Sequence, residues 1–229
     1  MMKRLFFAMF LGFAFFTFFS CENNPTESTG SEVTDIDGNV YQTIKIGNQI
    51  WMAENLKVTH YRNGEAIPNI FDDTDWYYNL STGAYCNYDN NATNADTSYG
   101  RLYNWYAVTD SRNIAPTGWH VATDAEWQTL VDYLGGSSVA GGKMKEAGTT
   151  HWSSPNTGAT NESGFSALPG GYRYGDGTYY DVGYYGYWWS ATEYSSDYAW
   201  YRGLRYYNSG VSRGYGSKQG GFSVRCVGD

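Results

Sequence analysis

Three histidines and two acidic runs carry most of the acid–base or metal chemistry open to this chain. His60, His120 and His151 stand apart, with no His-x-His, His-Glu-x-x-His or Cys-x-x-Cys spacing, so no transition-metal site can be read from them. His120, between Trp119 and Val121, is expected to be a satisfied, half-buried side chain rather than a ligand or base. No phosphate loop is present, and Gly214-x-Gly216-x-x-Gln219 breaks the dinucleotide pattern at its third position without a βαβ context. A nucleotide or nicotinamide cofactor is therefore not expected. Asp72-Asp73-Thr74-Asp75 precedes Trp76 and Tyr77, which can be half of a glycosidase dyad beside a sugar-stacking platform, a solvated loop, or a weak calcium site. Hydrolysis needs two carboxyls about 5–10 Å apart across a bond, which one run cannot supply. Asp89, Asn90, Asn91, Asn94 and Asp96 form a second oxygen-rich stretch with the same alternatives, so calcium is the one cofactor left open.

Tyr172–Tyr215 is crowded with Tyr, Trp, Gly, Ser, Asn and Arg. Tyr offers contact area at low entropic cost and Ser, Gly and Asn adapt their hydrogen bonds, which is the composition of a binding surface. Tyr206, Tyr207, Asn208, Ser209, Ser212 and Tyr215, spread over a Gly-punctuated loop, are the candidate ligand contacts, while Trp188 and Trp189 are expected in the core.

These residues must be positioned by short elements. Val33–Ile36, Asp37-Gly38, Val40–Ile46, Gly47-Asn48 and Gln49–Met52 read as a β-meander with hairpin turns, and Asp35-x-Asp37-Gly38 as a turn rather than a calcium loop. Thr123–Leu134 reads as a helix: Thr123 and Glu126 make a capping box, Trp127, Leu130, Val131 and Leu134 share a face, and Gly135-Gly136 ends it. Leu102–Val108 and Lys143–Ala147 suggest two more short helices. From Phe165 the pattern turns to Gly-separated strands at Tyr172–Tyr174, Thr178–Asp181, Tyr187–Ala191, Ala199–Tyr207 and Phe222–Val227. Strands at both ends with helices between predict one α+β domain over residues 32–229 whose termini share a sheet. Its 9 Trp, 23 Tyr and 28 Gly exclude disorder and coiled coil. A net charge of −8 with no basic cluster argues against nucleic acid.

The first 20 residues differ, holding eight of the 11 Phe. Lys3-Arg4 precedes Leu5–Phe19, an apolar run too short to span a bilayer and suited to a signal peptide. Phe18-Phe19-Ser20-Cys21 resembles a bacterial lipobox, which makes Cys21 the expected acyl anchor, residues 1–20 a leader and 21–31 a flexible tether. The membrane is then met through lipid only, at the outer membrane. Export permits a disulfide between Cys86 and Cys226, and two separate buried thiols are the equal alternative.

Several strings, taken in order, resemble one family: Ile50-Trp51-Met52-Ala53-Glu54-Asn55-Leu56, Tyr99-Gly100-Arg101-Leu102-Tyr103-Asn104-Trp105, Gly118-Trp119-His120-Val121, Gly164-Phe165-Ser166-Ala167-Leu168-Pro169-Gly170-Gly171, Trp188-Trp189-Ser190-Ala191-Thr192-Glu193 and Gly221-Phe222-Ser223-Val224-Arg225-Cys226-Val227. They are similar to the Fibrobacter succinogenes major paralogous domain, found on exported lipoproteins, across roughly residues 32–229. The Gly-Trp-His-Val segment and the closing strand also resemble the formylglycine-generating branch of the C-type-lectin-like fold, but that enzyme's cysteine pair has no counterpart here. Many members carry Cys where this chain has Ala115, which bears on the disulfide. The resemblance implies a C-type-lectin-like domain that binds a glycan or protein partner without catalysis. The rivals are a carbohydrate-active hydrolase using Asp72–Asp75 and Glu193, and a structural lipoprotein without a small ligand.

Overall fold

The computed structural model describes residues 31–79 and 81–229; the leader, Cys21 and all of the tether except Ser31 lie outside them. Glu32–Thr34 (β1), Val40–Ile46 (β2) and Gln49–Met52 (β3) form the expected meander, turning at Asp37-Gly38 and Gly47-Asn48. Then come Asp73–Asn79 (α1), Tyr85–Cys86 (β4), Ala92–Asn94 (α2), Leu102–Tyr103 (β5), Trp105–Val108 (α3) and Trp119–Val121 (β6). Asp124–Tyr133 (α4) and Ala140–Met144 (α5) precede the C-terminal strands Gly170–Arg173 (β7), Tyr179–Val182 (β8), Tyr185–Glu193 (β9), Tyr198–Arg205 (β10), Val211–Ser217 (β11) and Cys226–Gly228 (β12).

The fold is mixed and mostly β. One sheet has the order β1-β2-β3-β12-β6, so the last strand lies between the first meander and β6, with Val227 opposite both Trp51 and His120. The termini therefore share a sheet, as expected. The second sheet has the order β11-β10-β9-β7-β8, antiparallel except for the β7–β9 contact. Trp188 and Trp189, neighbours on β9, are both wholly buried because this sheet is covered on each face there. Trp188 joins the α4 side with Trp51, Trp127, Trp152 and Phe165, whereas Trp189 joins a second cluster with Tyr103, Phe222 and Val224.

Helix α4 has the reciprocal capping box of Thr123 and Glu126 and buries Trp127, Leu130 and Val131. Three expectations are corrected. Leu102–Val108 is not one helix: Tyr103 pairs with Phe222 through both backbone groups, and Asn104 starts α3 only afterwards by accepting from Ala107. The helix expected at Lys143–Ala147 lies earlier, because Lys145 leaves helical geometry and sends its ammonium to loop carbonyls. The Gly-punctuated loop is mostly strand β11, leaving only residues 206–210 as its turn with β10.

Asp124, at the start of α4, receives Arg202 at 2.6 Å and Arg213 at 2.9 Å, tying helix to sheet. Burial opposes its charge, but the two guanidiniums win and hold its pKa below the usual carboxylate value. Arg202 is only 1% exposed, so Asp124→Asn leaves a buried cation without its counter-charge; chemical denaturation is expected to show a loss of about 3 kcal/mol.

His120 bridges Asp229 through Nδ1 at 2.6 Å and Glu126 through Nε2 at 2.7 Å. Its burial disfavours charge, yet the two carboxylates outweigh this and raise its pKa. A raised histidine pKa stabilises the fold below the unfolded value of about 6.5 and loses that contribution as pH rises through the folded value. The melting-temperature advantage of wild type over His120→Gln is therefore expected to be larger at pH 6 than at pH 9.

Candidate functional site

Along β10, Tyr201, Gly203 and Arg205 share one face, since residues two apart in a strand point the same way. Strand register carries that face across the sheet: Tyr201 lies opposite Trp189 and Gly214, Gly203 opposite Tyr187 and Ser212, and Arg205 opposite Tyr185. A Cβ on Gly214 would stand 2.6 Å from the Tyr201 ring, and one on Gly203 would stand 3.3 Å from the Tyr187 ring. Absent side chains on neighbouring strands thus leave room for tyrosines to lean across the sheet.

The result is an aromatic box. Tyr187 and Phe222 stack, with centroids 5.4 Å apart and an interplanar angle of 24°. Tyr172 and Tyr201 stand across them, at 76° and 84° to Tyr187 and 78° and 83° to Phe222. Tyr180 stacks behind Tyr172 and is exposed. The box opens into a cavity of about 200 Å³, which Tyr174, Tyr215 and Gly216 also line. Burial, with help from Asp181 and neighbouring tyrosines, pushes the Tyr172 hydroxyl up to about 12. Burial also raises Tyr187 and Tyr201, against the opposing charge of Arg205. All three hydroxyls stay protonated at neutral pH and can both donate and accept hydrogen bonds.

A second cavity, of about 260 Å³, lies on the same face around Gly203, Arg205, Asn208, Ser209 and Ser212. Tyr201 and Arg205 are four residues apart on one strand, about 13 Å, so box and polar cavity form consecutive parts of one surface. The 206–210 turn is held from beneath by Lys145, which is wholly buried and donates to the carbonyls of Thr157, Arg205 and Asn208 at 2.9–3.0 Å. Burial lowers its pKa to about 8.

The six predicted ligand contacts do not form a single site. Asn208, Ser209 and Ser212 line the polar cavity, while Tyr215 lies opposite Trp200 on β10, and its ring packs with Tyr194, Tyr198 and Trp200 on the other face of the sheet from Tyr201. Tyr206 packs against the α4-side core, and exposed Tyr207 accepts from Arg205 at 3.1 Å. Sequence reasoning did not single out Tyr172, Tyr187, Tyr201, Phe222 or Arg205. Their signal was the alternation Tyr201-x-Gly203-x-Arg205 opposite Ser212-x-Gly214-x-Gly216, legible only once the register is known.

Gly210-Val211-Ser212-Arg213-Gly214 spells a serine-elbow pattern, but it runs straight through β11, and Ser212 donates to the Gly203 carbonyl rather than to a histidine. The acidic runs have structural partners. Asp72 caps α1 by accepting from Thr74 and Asp75, Asp73 pairs with Arg173 at 2.7 Å, and Asp96 pairs with Arg101 at 2.8 Å. Asp75 lies within α1, and Asp89 is exposed at a positive φ of 50°. Among the described residues no three His, Cys, Asp or Glu side chains gather as a metal site. Cys86 and Cys226 are free and buried in different clusters, and burial raises both thiol pKa values.

The family model for the Fibrobacter succinogenes major domain matches residues 44–228. No curated protein and no solved structure matches the chain.

Replacing Lys145 by Met removes three hydrogen bonds from buried carbonyls. The variant is expected to lose about 2 kcal/mol and to broaden the amide NMR signals of residues 205–210.

Proposed function

The chain belongs to the Fibrobacter succinogenes major domain family, and from that premise we propose that it is an exported, lipid-anchored, non-enzymatic module that binds a glycan in the aromatic box. The observation that carries this reading is the box: four rings set two by two at right angles around a cavity of about 200 Å³. Aromatic faces pack against the C–H faces of a sugar, and protonated tyrosine hydroxyls at the rim meet its hydroxyls. A cavity of this size suits one ring-sized group better than a protein surface, which needs a far larger contact.

The pairing of both termini in one sheet supports a C-type-lectin-like fold, in which a rigid sheet displays a recognition face. Fold alone does not fix function, so the box carries the argument. The apolar run before Cys21 supports export and anchoring at the outer membrane. The hydrolase reading is weaker, because Asp73 is paired with buried Arg173 and Glu193 with buried Lys218. Each carboxylate is thereby committed to holding a cation.

The test is a glycan array with the purified full chain, followed by calorimetry on any hit. Tyr172→Ala and Tyr201→Ala are expected to weaken binding by about 1–3 kcal/mol. The melting temperatures of both variants report whether the fold is intact. Binding of no glycan, or affinities unchanged in both variants, overturns the proposal.

A further inference from the structure

The polar cavity beside the box has an unbalanced set of hydrogen-bonding groups. Arg205 forms no ion pair among the described residues, and its only side-chain hydrogen bond runs from Nη1 to the Tyr207 hydroxyl. Its Nε and Nη2, and Nδ2 of Asn208, make no hydrogen bond among the described residues, while Oδ1 of Asn208 accepts from the Gly210 backbone. The carbonyls around these donors are already engaged. The Gly203 carbonyl takes Ser212, and the Arg205 and Asn208 carbonyls take Lys145. The Ser209 hydroxyl spends its proton on the Ser138 carbonyl, so its oxygen, like that of Ser212, is left as an acceptor. No acidic side chain lines the cavity. Arg205 is the charged residue lining the cavity, and its free N–H groups together with those of Asn208 Nδ2 outnumber the two serine oxygens, with the Lys145 ammonium behind them.

From this arrangement we infer that the cavity binds an anionic substituent, a carboxylate or sulfate, on a sugar adjoining the one held in the box. This rests on the glycan reading and gives it a substrate class: short acidic oligosaccharides. A guanidinium meets an oxyanion with parallel hydrogen bonds, and a charged partner is what an unpaired, half-buried arginine lacks. Box and cavity share a sheet face with about 13 Å between Tyr201 and Arg205, so one chain of sugars reaches both. The protein's charge of −8 repels a long polyanion, which limits the ligand to short acidic chains or sparsely charged ones.

The experiment uses the full chain and matched oligosaccharide pairs in low salt: uronate oligomers against their carboxyl-reduced forms, and sulfated oligomers against their desulfated forms. At least one acidic member is expected to bind about ten-fold or more tightly than its neutral match. The pair that shows the preference tells carboxylate from sulfate. Arg205→Gln is expected to bring the two members of that pair to equal affinity, and Arg205→Lys to keep part of the preference. The melting temperature of each variant reports whether the fold is intact. Equal binding of acidic and neutral members by wild type, or a preference that survives in Arg205→Gln, overturns the inference and leaves the glycan reading standing. Binding of no oligosaccharide in either series removes the glycan reading and this inference with it.

Discussion

Buried cations that bond to loop carbonyls are the interaction on which the rest of the structure depends. Arg225 is 1% exposed and has no carboxylate at its guanidinium. It donates instead to Asn55 Oδ1 and to the carbonyls of Met52, Phe165 and Ser166, at 2.7–3.1 Å. Burial pulls its pKa down to about 9, so the cation survives in the core only because every face of it meets an acceptor. Arg173 does the same for Ile70, Phe71 and Gly177 between the rings of Trp76 and Tyr179, and Lys145 for Thr157, Arg205 and Asn208. Long irregular segments carry backbone groups that no ladder satisfies, and here side-chain cations supply what strands and helices supply elsewhere.

This arrangement explains why so few and such short helices suffice. Residues 53–72 and 145–169 contain no long element, yet the first packs Leu56, Val58, Tyr61 and Ile67 into the core around Tyr103 and Trp189, and the second packs Trp152 and Phe165 against Trp51, Trp127 and Trp188. Each buried cation reaches across it to two or more segments distant in sequence: Arg225 spans positions 52 to 166, and Arg202 joins β10 to α4. Removing one partner would expose not a single broken bond but an unsolvated charge, so these contacts act together rather than as separable increments.

Much of this was legible in the sequence. Asp37-Gly38 and Gly47-Asn48 fixed two turns through backbone chemistry that needs no tertiary context, and Thr123 with Glu126 fixed the start of α4 for the same reason. The misses share a cause. Leu102–Val108 has a helical composition, but Tyr103 is claimed by Phe222, more than a hundred residues away. Val211–Ser217 has the glycines of a loop, and they serve instead as sites where rings from β10 and the core lie close to the backbone of β11. The residues expected as ligand contacts are divided between the polar cavity, the 206–210 turn and the other face of β11. Composition marks a recognition surface, but which tyrosines share a face depends on register, and register is set by pairing across strands.

The same register accounts for why part of this sheet is left open. A sheet packed on both sides has no surface to offer, and on the α4 side Arg202, Trp188 and Leu204 are fully covered. On the other side Trp189 and Phe222 are covered near the first sheet, and the cover ends before Tyr172, Tyr187 and Tyr201. Those tyrosines are half in the core and half in the cavity, so the rings that stabilise the sheet are the rings that form the box. Burial raises the pKa of all three hydroxyls, so each keeps its proton at neutral pH. Arg205, at the far end of the same row, is the one member of that row whose chemistry the core does not use, while its backbone is held still by Lys145. Rigidity beneath the cavity and unsatisfied donors within it thus arise from the backbone and the side chain of a single residue.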